Sequence, residues 1–225
     1  MKVYRRKADL LNDVTDKQST LCLDFLNDQF YHKFTSVKKN NSMFKNIERL
    51  AFDDKYYVNE IILNGVKRKP YLDLETVYEN KNIFDQNFKK IVRKLQTDII
   101  KVFAEQYNVK IKASDILLLN SSGKVKNGYK ISLHIIVSPK SKTYYYSNSK
   151  FTDSSAYHLF TSLIDLDPSY SNLLDDQVYN TDVNFRIIGA YKEKGNTRVL
   201  KPIDCNTLTV IDLTPAEKFQ YLLFE

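Results

Sequence analysis

"NGYKISLHIIVSPKSK", residues 127–142, is the stretch on which the reading of the whole chain turns. Lys130, Ser132 and His134 alternate with Ile131, Leu133 and Ile135. Successive side chains of a strand point to opposite faces, so the three polar residues share one face and the aliphatics the other. A half-solvated strand would look the same. The segments on either side separate that reading from a functional one.

Upstream, "GKVKNG" (123–128) has the composition of a hairpin connection, and "DILLLNSS" (115–122) reads as the strand it joins. Residues 82–107 carry apolar side chains at 84, 88, 91, 92, 95, 99, 102 and 103, which is helical spacing, with Lys89, Lys90, Arg93 and Lys94 on the opposite side. "KPYLDLETVY" (69–78) alternates and is rich in β-formers, a strand signature. Downstream, residues 154–166 put Ala156, Leu159, Phe160, Leu163 and Ile164 on one helical stripe. "DQVY" and "NFRIIGAY" then read as short strands around a turn at "NTDV". From residue 70 the order is strand, helix, strand, strand, helix, strand, which predicts an α+β fold with an RRM-like split βαβ (βαββαβ) sheet. Right-handed crossovers place the third strand between the first and second, and the fourth beyond the first. Both helices then cover one face and leave the other open.

The first 65 residues form a smaller N-terminal α/β lobe in this reading. Short helices are expected around "LCLDFLNDQF" (21–30) and "MFKNIERLAF" (43–52), and a strand in "YVNEIILNG" (57–65). No Pro/Gly/Ser linker separates this lobe from residues 66–225, so residues 1–225 are expected to form a single domain. A final helix is expected to start at Thr214-Pro215 in "TPAEKFQYLLFE".

Composition narrows the class. The chain has 225 residues, 43% hydrophobic and 27% charged, enough for one substantial core. No apolar run approaches the roughly 18 residues that span a bilayer, and "MKVYRRKADLLND" lacks a signal-peptide core. The expectation is an intracellular protein, not secreted and without a membrane partner. Cys22 and Cys205 form no CxxC pair and read as buried thiols. The net charge of +7 favours a polyanionic partner. His32 reads as a surface or packing residue and His158 as solvent-facing or capping.

Chemistry concentrates on the expected open face. Asp73 and Glu75 stand two apart on the central strand, so both carboxylates point the same way and repel. A solvated acidic face, or pairing with Lys67, Arg68 or Lys69, would account for them. So would a site for Mg²⁺ or Mn²⁺, which prefer carboxylate oxygens. Further on, "LLDDQVYNTDVNFRIIGAYKEKG" (173–195) contains Asp175, Asp176, Asn184, Arg186 and Lys192. A third carboxylate would complete a two-metal clamp, and Arg186 with Lys192 would neutralise a triphosphate.

D-x-E at 73–75, K-x-S-x-H at 130–134, and D-x-x-V-Y followed by N-F-R and a lysine at 175–192 together resemble the three motifs of the archaeo-eukaryotic primase superfamily. The likeness is strongest to its viral branch, the primase domains of poxvirus-type primase-helicases, and to PrimPol-like enzymes, and covers roughly residues 60–200. The resemblance implies a DNA-directed primase/polymerase, a nucleotidyltransferase with two Mg²⁺ or Mn²⁺ ions. Asp73, Glu75 and Asp175 would be catalytic metal ligands, with Asp176 the alternative to Asp175. Lys130, Ser132, His134, Asn184, Arg186 and Lys192 would bind the nucleotide. The implied partners are a single-stranded DNA template, NTP or dNTP, and a helicase domain or subunit, in a viral replication compartment or the host cytoplasm. No Cys/His zinc module accompanies the motifs, which bears on primer initiation more than on extension. No GxxxxGK[ST] sequence is present, so the resemblance implies a fragment of a primase-helicase or a standalone subunit. Two other classes share such a sheet. An RRM-like nucleic-acid-binding module would want aromatic residues on the open face, and a DNA-nicking nuclease would want a second histidine beside His134 and a nucleophilic tyrosine.

Overall fold

Asn80 starts the longest element of the molecule: its side-chain oxygen accepts from the Ile83 amide at 3.0 Å, and the helix then runs from Lys81 to Gln106. The apolar stripe read from the sequence buries Val92, Leu95, Ile99, Val102 and Phe103. The structure, a computed structural model, describes residues 2–16, 20–27, 29, 31–38, 43–50, 57–63, 65–139, 146–147, 155–192 and 198–223.

In chain order the elements are β1 (Val3–Tyr4), α1 (Lys7–Asp13), β2 (Thr20–Leu26), β3 (His32–Lys38), α2 (Met43–Glu48), β4 (Val58–Ile62), β5 (Lys67–Arg68) and β6 (Tyr71–Tyr78). Then come α3 (Lys81–Gln106), β7 (Ile116–Asn120), β8 (Gly123–Val125), β9 (Gly128–Val137), β10 (Tyr146–Ser147), α4 (Ala156–Leu166), β11 (Val183–Arg186), β12 (Lys201–Ile203) and α5 (Pro215–Lys218). The fold is α+β, with two antiparallel sheets as its main layers.

The central sheet runs β12-β7-β9-β6, with β8 folded back on β9. The third expected strand does lie between the first and second. Leu72 and Leu74 of β6 and Ile131, Leu133 and Ile135 of β9 are buried in one core with the apolar stripe of α3 and with Leu159 and Leu163 of α4. The second sheet runs β1-β3-β2-β4-β11. Leu21, Leu23 and Phe25 of β2 join the main core, whereas Cys22 packs with Leu10 of α1, Ile61, Leu63 and Val66 in a smaller one.

Four expectations are corrected. The segment 21–30 is not helical: β2 is an interior strand, its two faces in different apolar clusters, so nearly every residue is buried and the period-2 signal disappears. "DQVY" is a 3₁₀ turn, Asp176–Tyr179, because the Asp175 side chain caps the Gln177 amide at 2.9 Å and starts a turn. Tyr71 and Tyr179 fix it, each hydroxyl donating to the other segment's carbonyl (Val178 and Tyr71) at 2.9 and 2.7 Å. The strand at "NFR" is present as β11, but it pairs with β4 in the second sheet rather than beside β6. Beyond β6 the described residues offer 173–175, through a Leu74–Leu174 bridge and two amide bonds, Glu75 N to Leu173 O and Asp175 N to Asp73 O. Finally, the second face of the central sheet is not open. Phe185 of β11 lies on His134, ring centres 4.0 Å apart, so the polar stripe is enclosed where the two sheets meet.

Smaller expectations stand as follows. Cys22 and Cys205 are buried free thiols. The helix at "MFKNIERLAF" is α2, and residues 51 and 52 lie outside the described set. Thr214 caps α5 in a reciprocal pair with Glu217. His158 is bonded to the Tyr107 hydroxyl at 3.1 Å. Among the described residues no helix is long and apolar enough to cross a membrane.

Candidate functional site

Register brings the two polar motifs together. On the paired strands β6 and β9, Asp73 faces His134, Glu75 faces Ser132 and Val77 faces Lys130. Directly opposed residues project to the same side of a sheet, so D-x-E and K-x-S-x-H form one polar patch. Beside it lies a cleft of about 240 Å³, lined by Asn59, Asp73, Glu75, His134, Val178, Asn184, Phe185, Arg186 and Lys192. Both sheets contribute to it.

The carboxylates are unequally served. Glu75 is paired with the Lys130 ammonium and also accepts from Ser132 Oγ at 3.4 Å. Asp73 Oδ1 is buried without a hydrogen-bond partner. Burial raises the Asp73 pKa first, and the nearby charges of Glu75 and Asp175 raise it further, to about 7, against the opposing pull of Arg186 and Lys130. Asp175 is tied to Asp73 through the backbone, whereas the neighbouring Asp176 side chain accepts from Gln177 Nε2 at 3.0 Å.

His134 is held neutral. Burial depresses its pKa well below the usual imidazole value, and the positive charges of Arg186 and Lys192 add to the effect. Its Nε2 is 3.9 Å from Asp73 Oδ1, and its Nδ1 has no hydrogen-bond partner. Arg186 donates through Nη2 to Ser121 Oγ at 2.8 Å, Ser121 Oγ donates to Ser132 Oγ at 3.1 Å, and Ser132 reaches Glu75. This relay fixes the guanidinium, yet leaves buried Nη1 unpaired.

Asp73 Oδ1, His134 Nδ1 and Arg186 Nη1 are therefore three buried, unsatisfied polar atoms at one cleft. Each such atom costs about 1–3 kcal/mol, so their clustering singles this cleft out as the candidate binding site. Among the described residues, no three carboxylate, imidazole or thiol groups already converge as a preformed metal site. The donor chemistry nonetheless fits a hard divalent cation: Asp73, Glu75 and Asp175 supply oxygens only, and their mutual repulsion at Asp73 is only partly offset by Arg186 and Lys130.

Of the residues singled out in the sequence, Asp73, Glu75, His134, Asn184, Arg186 and Lys192 line the cleft. Lys130, Ser132 and Asp175 stand behind it and reach it through Glu75 or Asp73. Sequence reasoning missed Ser121, Asn59 and Phe185, and also Asp24, which accepts a hydrogen bond from the cleft residue Asn184. Asp24 did carry a signal, as the one carboxylate in the apolar run "TLCLDFL". The Ser121-Ser122 doublet after "LLLN" carried another. Asn59 carried none, since it enters the cleft only because β11 pairs with β4.

No family model matches the chain. Over 236 aligned positions it is 40% identical to a protein of Acanthamoeba polyphaga mimivirus named "Uncharacterized putative helicase R8", an alignment covering 99% of this chain and 22% of that protein. The chain thus spans about a fifth of the length of the curated relative it matches.

Proposed function

We propose that this chain is a primase-polymerase catalytic segment that transfers nucleotides from NTP or dNTP to a growing strand on a single-stranded DNA template. The observation that carries the reading is the register: the D-x-E carboxylates face the K-x-S-x-H side chains across β6 and β9, at a cleft whose other wall holds Asn184, Arg186 and Lys192. Anion-binding groups thus stand directly beside an anionic pair, the arrangement that a polyphosphate with its counter-cations needs.

Asp73, Glu75 and Asp175 would hold Mg²⁺ or Mn²⁺, which when bound activates a 3′-hydroxyl and offsets charge on the leaving pyrophosphate. The protein groups do the rest. Arg186, oriented by Ser121, offers the unpaired Nη1 to a phosphate oxygen, and Lys192 adds a point charge at the rim. Neutral His134 is a hydrogen-bond donor rather than a base, kept in place by Phe185. Lys130 pairs with Glu75 and offsets its negative charge beside Asp73. The name of the mimivirus relative supports a viral replication setting, with a helicase module as neighbour or partner.

The test is primer synthesis and extension on single-stranded DNA with Mg²⁺ or Mn²⁺ and each nucleotide type. Template-directed incorporation by the parent, abolished in Asp73→Ala with Glu75→Ala, is the expected result. A double variant that incorporates like the parent overturns it.

A further inference from the structure

The second sheet, which carries none of the three motifs before β11, holds a buried carboxylate that the chemistry above does not use. Asp24 of β2 is 1% exposed. It accepts from His32 Nδ1 at 2.9 Å and from Asn184 Nδ2 at 2.5 Å. Asp24 lies opposite Asn59 in the β2–β4 register, and Asn59 and Asn184 both line the cleft. The charged group of α1 that acts on Asp24 is Lys7, which also bonds the Asp182 carbonyl just before β11. A buried carboxylate in an apolar strand is costly unless every oxygen is used, so its retention calls for a task.

We infer that Asp24 is a positioning residue that fixes the orientation of the Asn184 amide, so that Asn184 presents its carbonyl oxygen to the nucleotide and selects for a hydrogen-bond donor there. An Asn side chain offers an acceptor at one end and donors at the other, and an ionised carboxylate can only accept. Asp24 therefore takes the amide nitrogen, and Oδ1 is the end turned away from it. Phosphate oxygens cannot donate to that atom, whereas a sugar hydroxyl or a base N–H can. The triphosphate then belongs to Arg186, Lys192 and His134, and Asn184 reads the nucleoside. His32, with its side chain 63% exposed, completes the Asp24 contacts from the solvent side.

This inference rests on the nucleotide-transfer reading of the cleft, and the experiment keeps the two apart. Steady-state incorporation of dATP on an oligo(dT) template is measured for the parent, Asp24→Ala, Asn184→Ala and the double variant. The measurement is repeated with 2′,3′-dideoxy-ATP, which removes the sugar donor, and with the purine deoxynucleotide lacking the 6-amino group, which removes a base donor. Asn184→Ala is expected to raise KM about tenfold with kcat within a few-fold, and Asp24→Ala to do the same. The double variant should be no worse than Asn184→Ala, since one interaction cannot be lost twice. Loss of the 6-amino group also removes a hydrogen bond to template thymine in every variant, so the donor is identified by the analogue whose penalty is larger in the parent than in Asn184→Ala, and Asp24→Ala should show the same reduced penalty as Asn184→Ala. Asp24→Asn, isosteric and still able to accept, is expected to fold and to show a smaller KM rise that vanishes in the Asn184→Ala background. It serves in place of Asp24→Ala should that variant not melt cooperatively. Additive effects on KM, or equal losses with all three nucleotides, overturn the inference. A parent that incorporates nothing overturns the reading of the cleft, and this inference with it.

Discussion

Asp73 and His134 face each other across β6 and β9 with Oδ1 3.9 Å from Nε2, too far for a hydrogen bond. One is a carboxyl raised toward neutrality, the other an imidazole held neutral. Burying Asp73 Oδ1 without a hydrogen-bond partner is costly, and this makes Asp73 a sensitive reporter.

Stability should depend on pH through Asp73 with a definite sign. Its folded pKa of about 7 lies above the ordinary 3.8, so the folded state binds the proton more tightly. The penalty of ionising it is absent below about pH 4, grows between pH 4 and 7, and is complete above 7. Asp73→Asn should therefore stabilise the protein at pH 8, on the order of 2–4 kcal/mol, and leave it unchanged near pH 4. His134 acts oppositely, since a depressed imidazole costs stability as pH falls through about 6.5 in parent and variant alike. Urea unfolding of both proteins across this range isolates the carboxyl. Added Mg²⁺ or Mn²⁺ at pH 8 should raise the parent Tm and shift Asp73→Asn much less.

Ser121 has no place in any motif, yet it anchors Arg186 at 2.8 Å. Ser121→Ala should cost about 1–2 kcal/mol, because a buried guanidinium loses an acceptor. It should also raise KM for the incoming nucleotide several-fold, with a smaller effect on kcat. Chemical unfolding and steady-state incorporation check the two parts separately.

Phe185 packs on His134 at 4.0 Å and on Tyr71 at 5.3 Å, between the two sheets. Phe185→Ala should lose about 3–5 kcal/mol. Phe185→Leu should keep most of the stability, yet let water reach His134. The imidazole of Phe185→Leu should then titrate closer to its usual range than in the parent, as read by NMR of the ring protons.

Gly128 opens β9 with φ at +133°, and a Cβ there would stand 2.2 Å from the Tyr78 carbonyl oxygen. Gly128→Ala should destabilise by at least about 2 kcal/mol. The strain falls two residues from Lys130, so the Lys130–Glu75 pair should loosen as well. Thermal melting measures the first effect, and amide exchange along β6 and β9 the second.

Much of the site was legible because it depends on local rules. Period-2 alternation in "YLDLETVY" and "YKISLHIIV" fixes which side chains share a face, and short connections with right-handed crossovers put β9 beside β6. Asp73, Glu75, Ser132 and His134 come together on those grounds alone. The same rules gave α3, whose apolar spacing and Asn80 cap are local properties. They failed at β2, where burial on both faces erases the periodicity that identifies a strand.

What the sequence determined by itself, then, is the β7-β9-β6 part of the central sheet and the polar stripe along it, because backbone geometry dictates which neighbours share a face, whereas the edge strand β12 went unread. What only the tertiary structure decided is where β11 goes. A four-residue strand can hydrogen-bond to any free sheet edge, and a capped turn at Asp175 together with the Tyr71–Tyr179 contacts sends it to β4 rather than β6. That choice turns an open face into an enclosed cleft. It buries His134 under Phe185, brings Asn59 and Asn184 to the rim, and binds the site to Asp24, more than 150 residues away in the chain, through side-chain packing that no local pattern encodes.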